Sequence, residues 1–413
     1  MSNISGSWES SGVLLAVINT NTLYWFAYAF LTFVILLSTS LWLYFRKKKC
    51  FELVRHFETA SARITAHPPY PGHHPNLLRG IRELTRSTSS SDHFSNDSSD
   101  HTNIFEIFRH ECGFFQGLWW QSFTPKDREV RAVIIGVHGY SDHSDFLMLN
   151  HASELLQIND SDARVAIVLF DQPGAGRSEG LWGFIPDWFE HVDKCRQFID
   201  LFVKVELYPG ENVRFFGFGF SCGGGILVTM QAQGSNLDGM VLLAPMISIS
   251  DHMKPSPYIQ QLLGIMAFIF PTWPVTITNI SGALSFREEG FDELVDNLNK
   301  LQYPGFPRLA TAASFLTAQE WMKKQCHRVE IPFLVLHGTA DVVTCIEGSR
   351  TLYESANISD KKFIVLEGYR HHLAGPGQNE SFNKKPYSAI KNWLLDRIHN
   401  FRVPLNVNIQ KQS

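Results

Sequence analysis

The sequence predicts an α/β fold: a mainly parallel sheet with helices on both faces and an inserted helical lid. Three observations predict it. From Ile104 onward, short runs of four to six residues rich in Val, Ile, Leu and Phe are punctuated by Gly, Asp or Pro, as strands buried on both faces are. Longer amphipathic stretches fall between those runs, and strand alternating with helix makes a covered, mainly parallel sheet. Residues 245–330 then break the rhythm with helical patterning interrupted by Pro271, Pro274, Pro304 and Pro307, which reads as a lid. The chain has 413 residues, 44% of them apolar and 18% charged. That composition supports a sizeable core and excludes disorder of the whole chain. A formal charge of −4 gives no basis for nucleic-acid binding.

A short segment, residues 1–22, leads the chain and contains no Lys or Arg. Leu23 to Phe45 follows, almost wholly apolar or aromatic, inside a window from Ser10 to Phe45 that lacks Asp, Glu, Lys, Arg and His. As a helix it is long enough to span the ~30 Å core of a bilayer. Arg46, Lys47, Lys48 and Lys49 come directly after it, and Tyr24, Trp25, Trp42 and Tyr44 sit near its two ends. The positive-inside rule then predicts a single-pass anchor with the rest of the chain in the cytosol, on the endoplasmic reticulum or another endomembrane. A cleaved signal peptide would want a basic start and a shorter core. Cys50 beside the basic run is a palmitoylation candidate, with an idle thiol as the plainer reading.

Residues 46–103 read as a basic juxtamembrane stretch and linker. Its last part, 85–103, is rich in Ser and Asp. His67, His73 and His74 lie among prolines, which favours an extended solvated segment over a metal site. The six Cys form no CxxC pair, so neither a zinc site nor a disulfide framework is expected.

The predicted strands of the body, residues 104–400, are Ala132–Val137, Val165–Phe170, Val213–Phe216, Met240–Ala244, Phe333–Leu336 and Phe363–Leu366. Predicted helices include Trp188–Val205, Cys222–Gln233 and Ile346–Ser355. Within the lid, Ile259, Leu263 and Met266 recur at helical spacing. They read either as the buried stripe of a core helix or as a lid face that touches lipid and lines an acyl pocket. Residues 401–413 form a C-terminal tail.

Chemistry concentrates in Gly219-Phe220-Ser221-Cys222-Gly223, a G-x-S-x-G pattern between a strand and a helix. That context is the nucleophile elbow: a strained turn that projects the Ser oxygen and needs small residues two away. The alternative is a tight glycine turn with an idle Ser. A Ser hydroxyl needs a base oriented by an acid. Asp341, after Phe333–Leu336, and the pair His371 and His372, after Phe363–Leu366, stand in the required chain order at strand ends. Residue type alone does not choose between the two histidines. His138 and His337 read as supports of their turns. An oxyanion hole needs two backbone N–H groups. Cys222, after the nucleophile, and Tyr140, in the loop after Ala132–Val137, are the candidates. The glycine-rich FDQPGAGRSEG (Phe170 to Gly180) reads as a structural turn.

Together VHGYSDH, DQPGAGRSEG, GFSCGG, LLAPMISIS, LHGTADVVT and SDKKFIVLEGYRHHL resemble monoacylglycerol lipases and lysophospholipases of the α/β-hydrolase fold. The resemblance covers about residues 104–398 and is strongest to the plant-type branch that includes caffeoylshikimate esterase. It implies Ser221 as nucleophile, Asp341 as acid and His371 as base, through the spacing G-x-x-H-x-L, with Tyr140 and Cys222 N–H groups as the oxyanion hole. It implies no cofactor and no metal. Cys222 stands where the family usually has Met, and Phe220 where it often has His or Glu, which bears on the acyl pocket. The expectation is a membrane-anchored serine hydrolase of lipid monoesters, either monoacylglycerol or lysophospholipid. An acyltransferase or non-lipid carboxylesterase on the same site is the alternative in chemistry. A non-catalytic ligand receptor on the fold is the alternative in class.

Overall fold

The computed structural model describes Tyr28, Thr32 and residues 58–66, 107–249 except 127 and 162, 256–275, 286, 295, 299–375 and 380–399. The chain divides into two units, Met1–Arg46 and Lys47–Ser413. In the first, Tyr28 and Thr32 are helical, and the Thr32 hydroxyl donates to the Tyr28 carbonyl at 2.8 Å. The rest of the expected span Leu23–Phe45 lies outside the described residues, as do Cys50, the histidines at 67–74, the stretch 85–103 and the tail 401–413. Among the described residues no helix is long and apolar enough to cross a membrane.

The second unit is built on an eight-stranded mixed sheet in the order β1-β2-β4-β3-β5-β6-β7-β8. Its strands are β1 Phe108–Phe115, β2 Leu118–Pro125, β3 Ala132–Val137, β4 Val165–Phe170, β5 Arg214–Phe220, β6 Gly239–Leu243, β7 Phe333–Gly338 and β8 Lys361–Leu366. From β4 to β8 every pairing is parallel, whereas β1–β2 and β2–β4 are antiparallel. Side chains alternate across the sheet. Val133, Ile135 and Val137 of β3 join one core, and Ala132 and Ile134 join the other. Each fully buried side chain of this size stabilises the fold by about 1.5–3 kcal/mol.

Helices cover both faces. They are α1 Ala60–Ala66, α2 Leu147–Leu156, α3 Trp188–Gln197, α4 Cys222–Ala232, α5 Pro257–Ile269, α6 Leu309–Gln325, α7 Ile346–Ser355 and α8 Glu380–His399. Asp187 caps α3 by accepting from the Glu190 N–H at 2.8 Å, and a π-helical turn, Phe198–Leu207, continues it. Helices α5 and α6 lie between β6 and β7, in the stretch expected to form a lid.

Three features differ from the expectation. Strand β5 runs on to Phe220 rather than stopping at Phe216. Gly217 and Gly219 look like punctuation, but they are where helix α4 comes close. A Cβ on Gly217 would sit 2.9 Å from Leu227, and one on Gly219 2.8 Å from the Gly223 carbonyl. The β1–β2 hairpin was not among the expected strands. Its turn, Gln116-Gly117, has φ values of 45° and 79°, the positive pair that a tight hairpin demands. Lastly, within the 46–103 stretch, residues 58–66 form a docked helical segment whose Arg63 is fully buried.

Candidate active site

The parallel register sets one edge of the sheet. Val137 pairs with Gly219, Phe220 with Leu243, Leu243 with Leu336, and Gly338 with Leu366. The loops leaving β3, β5, β7 and β8 therefore emerge together, and they carry Tyr140, Ser221, Asp341 and His371. An open parallel sheet places its ligand chemistry at this carboxyl-end edge.

Ser221 occupies the turn between β5 and α4 with φ 52° and ψ −115°, a conformation unfavourable for a residue with a side chain. Its N–H donates to the Leu243 carbonyl at 2.9 Å, and its carbonyl accepts from Met246 N–H at 2.8 Å and Gly225 N–H at 3.1 Å. The strained turn is thus fastened on both sides. Gly223 is required because a Cβ there would collide with the Val137 and His138 carbonyls.

The Ser221 hydroxyl lies 3.0 Å from His371 Nε2. His371 Nδ1 lies 2.8 Å from Asp341 Oδ2. Asp341 Oδ1 accepts from the N–H groups of Val343 at 2.8 Å and Thr344 at 3.0 Å. The Thr344 hydroxyl donates to Oδ2 at 2.8 Å. Burial alone would raise the pKa of Asp341, but the facing His371 and the hydrogen bond from His337 outweigh it and hold the carboxyl far below its usual range. The β7 and β8 loops are stitched together by Ala340 N–H to Tyr369 O at 3.0 Å and Thr339 N–H to Leu366 O at 3.0 Å. That stitching brings residues 30 apart in sequence into contact.

Between the two adjacent histidines the geometry is unequal. His372 stacks on Phe286, with ring centroids 4.0 Å apart, and also packs on Phe220 at 4.7 Å. Burial, and then the neighbouring His371, push its basicity well down. His371 alone meets both Ser221 and Asp341.

Tyr140 leaves β3 next to the nucleophile. A Cβ on its neighbour Gly139 would lie 3.0 Å from the Phe220 ring and in contact with the Ser221 Cβ at 3.5 Å. The Tyr140 hydroxyl donates to the Gly183 carbonyl at 2.8 Å. Cys222 opens α4 and is fully buried, and burial pushes its thiol up and out of reactive range. His138 supports its turn. Its Nε2 accepts from Gln172 N–H at 2.9 Å, which leaves Nδ1–H for the Gly139 carbonyl at 2.7 Å. Burial lowers its basicity. His337, read from sequence as a turn support, proves to be a partner of Asp341 with Nε2 3.2 Å from Oδ2. Only the i, i+4 spacing in HGTAD hinted at it.

Ile259, Leu263 and Met266 share one face of α5. They pack with Val275, Leu309 and Phe184 in a small core of the cap, and Leu263 is 2% exposed. The opposite face holds Tyr258, Ile265, Phe268 and Ile269, with Phe268 90% exposed. Among the described residues no cluster of His, Cys, Asp and Glu is arranged to hold a metal ion.

A family model for serine aminopeptidase S33 hydrolases matches residues 128–376. The chain belongs to this family. It is a serine hydrolase, and its relatives are esterases and monoglyceride lipases. Caffeoylshikimate esterase of Arabidopsis thaliana is 26% identical over 298 residues, 69% of this chain and 83% of that protein. Mouse (Mus musculus) monoglyceride lipase is 26% identical over 260 residues, 63% and 80% of the two chains. In three dimensions the chain is similar to a monoacylglycerol lipase of Paleococcus ferrophilus, with a TM-score of 0.56 and 24% identity over 68% of this chain and 99% of that one. The likeness establishes the α/β-hydrolase fold.

Proposed function

We propose that the protein is a membrane-anchored serine esterase that hydrolyses lipid monoesters, monoacylglycerol or lysophospholipid. The observation that carries the chemistry is the hydrogen-bonded line Ser221–His371–Asp341 at a strained strand-to-helix turn. His371 Nε2 takes the Ser221 proton as Oγ attacks the ester carbonyl. The carbonyl oxygen, becoming an anion, is received by the Tyr140 and Cys222 N–H groups. As the tetrahedral intermediate collapses, the ester C–O bond breaks and the leaving alkoxide takes the proton from His371. Water, deprotonated by His371, then attacks the acyl-enzyme, releasing the fatty acid and restoring Ser221. Asp341 keeps the imidazole in the productive tautomer and stabilises its cation.

Three observations support a lipid substrate. The α5 face turned to solvent is apolar, relatives are named as monoglyceride lipases, and the sequence carries an apolar span beside four basic residues. The span would hold the body on the cytosolic side of an endomembrane. The test is fatty-acid release by the full chain from monooleoylglycerol and lysophosphatidylcholine vesicles, beside a soluble short-chain ester. Vesicle substrates should be preferred. Phe268→Ser should slow vesicle hydrolysis several-fold while sparing the soluble ester. Preference for the soluble ester alone would contradict the lipid assignment. Transfer of the acyl group to added glycerol in preference to water would point to an acyltransferase.

A further inference from the structure

We propose that the segment 58–66 is a strap that positions the active-site wall carrying Tyr140, with Arg63 as its positioning residue. The inference rests on Ser221 hydrolysis with Tyr140 in the oxyanion hole.

Arg63 comes from helix α1, which precedes the first strand in the chain, and it is 0% exposed. The guanidinium donates through Nε to the Gly176 carbonyl at 2.5 Å and through Nη2 to the Ser178 carbonyl at 2.7 Å. Nη1 donates to the Glu58 carbonyl at 3.1 Å. The guanidinium also lies 5.5 Å from the centroid of the Trp182 ring. Burial lowers its pKa to about 10, with Asp171 acting in the opposite sense. A cation taken this far out of water is costly unless its donors are matched. A surface tether would not need that cost.

The carbonyls that Arg63 holds belong to the glycine-rich turn after β4, and that turn is tied to the loop after β3. Asp171 accepts from Arg177 N–H through Oδ2 and from Ser144 N–H through Oδ1, both at 2.7 Å. Arg177, between the two held carbonyls, forms an ion pair with Asp145. The strap also acts one step further along the wall. Trp182 N–H donates to the Glu58 carbonyl at 3.3 Å, and the next residue, Gly183, accepts the Tyr140 hydroxyl. Arg308, at the start of α6, donates to the Trp182 carbonyl at 3.1 Å and pairs with Glu58 at 3.4 Å. Tyr140, Gly183 and Gly174 line one cavity together with Gly139, where an added Cβ would lie 3.5 Å from the Ser221 Cβ. The strap is therefore tied to this wall at two points, through Arg63 and through the Glu58 carbonyl, and among the described residues it is the segment nearest in sequence to the basic stretch 46–49.

Loss of the brace should displace Tyr140 slightly without unfolding the sheet. Small misplacement of a catalytic group costs up to about 100-fold in rate. The test uses the full chain with wild type, Arg63→Ala, Arg63→Lys and Arg63→Met, assayed on a soluble short-chain ester with Ser221→Ala as the reference. The expected result is a fall in kcat of about 10–100-fold for Arg63→Ala, with KM little changed and fluorophosphonate labelling slowed in parallel. Millimolar guanidinium should restore part of the Arg63→Ala rate but not that of Arg63→Met, whose side chain fills the space. Arg63→Lys, which cannot fork across both carbonyls, should keep wild-type thermal stability at an intermediate kcat. It carries the test if Arg63→Ala does not fold. Wild-type kcat in folded Arg63→Ala or in Arg63→Lys would overturn the strap's role. Turnover surviving in Ser221→Ala would instead overturn the hydrolase reading on which it rests.

Discussion

His337 Nε2 lies 3.2 Å from Asp341 Oδ2, the same oxygen that His371 Nδ1 reaches at 2.8 Å. One carboxylate oxygen therefore serves two imidazoles, and the side chain bearing it is completely buried. The Ser349 hydroxyl lies 2.7 Å from His337 Nδ1. If Ser349 donates there, the Nε2–H is left to point at Asp341. His337 thus keeps the acid ionised and fixed in place. His337→Leu is expected to lower kcat about tenfold, one hydrogen bond to a charged group, with KM unchanged. Steady-state kinetics on a soluble ester measures it. A wild-type kcat would reduce His337 to a packing residue.

Asp341 itself titrates far below a free carboxyl. Because the folded-state value lies below the unfolded one, its ionisation stabilises the fold above the unfolded value and that stabilisation is lost as pH falls toward the folded one. The stability difference between wild type and Asp341→Asn is expected to be flat from neutral pH to about 4 and to shrink below it. Urea unfolding across that range measures it. The same substitution should cut kcat by about 10⁴-fold, because an amide favours the wrong imidazole tautomer.

Much of this arrangement was legible in the sequence. The β3 and β4 runs and helix α7 match their expected bounds because continuous Val, Ile and Leu runs and a clean helical period leave little choice. The Ser, the acid and the histidine pair were legible because each follows a strand. What chain order did not supply was the contact that separates His371 from His372, which depends on Phe286 stacking against the second ring. Arg63 had no local signal at all, since the Gly176 and Ser178 carbonyls it binds are 113 and 115 residues away. Strands β1 and β2 escaped because they pair antiparallel at the sheet's end, and in β1 only Phe108 is fully buried.

His151 shows the cost of burying a neutral imidazole. Burial pushes it from its ordinary value of 6.5 to about 4, where it faces the Tyr387 hydroxyl at 2.9 Å and the Phe218 ring. The unfolded chain takes up this proton first, so stability is complete above pH 6.5 and declines as pH falls toward 4. Each such group adds a slope of about 1.4 kcal/mol per pH unit. His151→Gln is expected to remove one proton's worth of that slope. Denaturation midpoints at successive pH values measure it, and an unchanged slope would contradict the assignment.

Gly223→Ala tests the elbow's backbone. The added Cβ would stand 2.6 Å from the His138 carbonyl oxygen and closer still to that of Val137. Neither is a flexible side chain that moves aside. The expected cost is about 4 kcal/mol or more, seen as a large fall in thermal midpoint together with loss of labelling at Ser221. A stable, fully active Gly223→Ala protein would mean that the α4 start does not press on β3 as described.

The most direct test of the central claim is fluorophosphonate labelling of the full chain beside Ser221→Ala, His371→Ala and His372→Ala. An activated Ser221 paired with His371 predicts labelling of wild type and of His372→Ala, none of Ser221→Ala, and a loss on the order of 10⁴-fold or more in rate for His371→Ala. A folded wild type that stays unlabelled, or labelling that persists in Ser221→Ala, would contradict it.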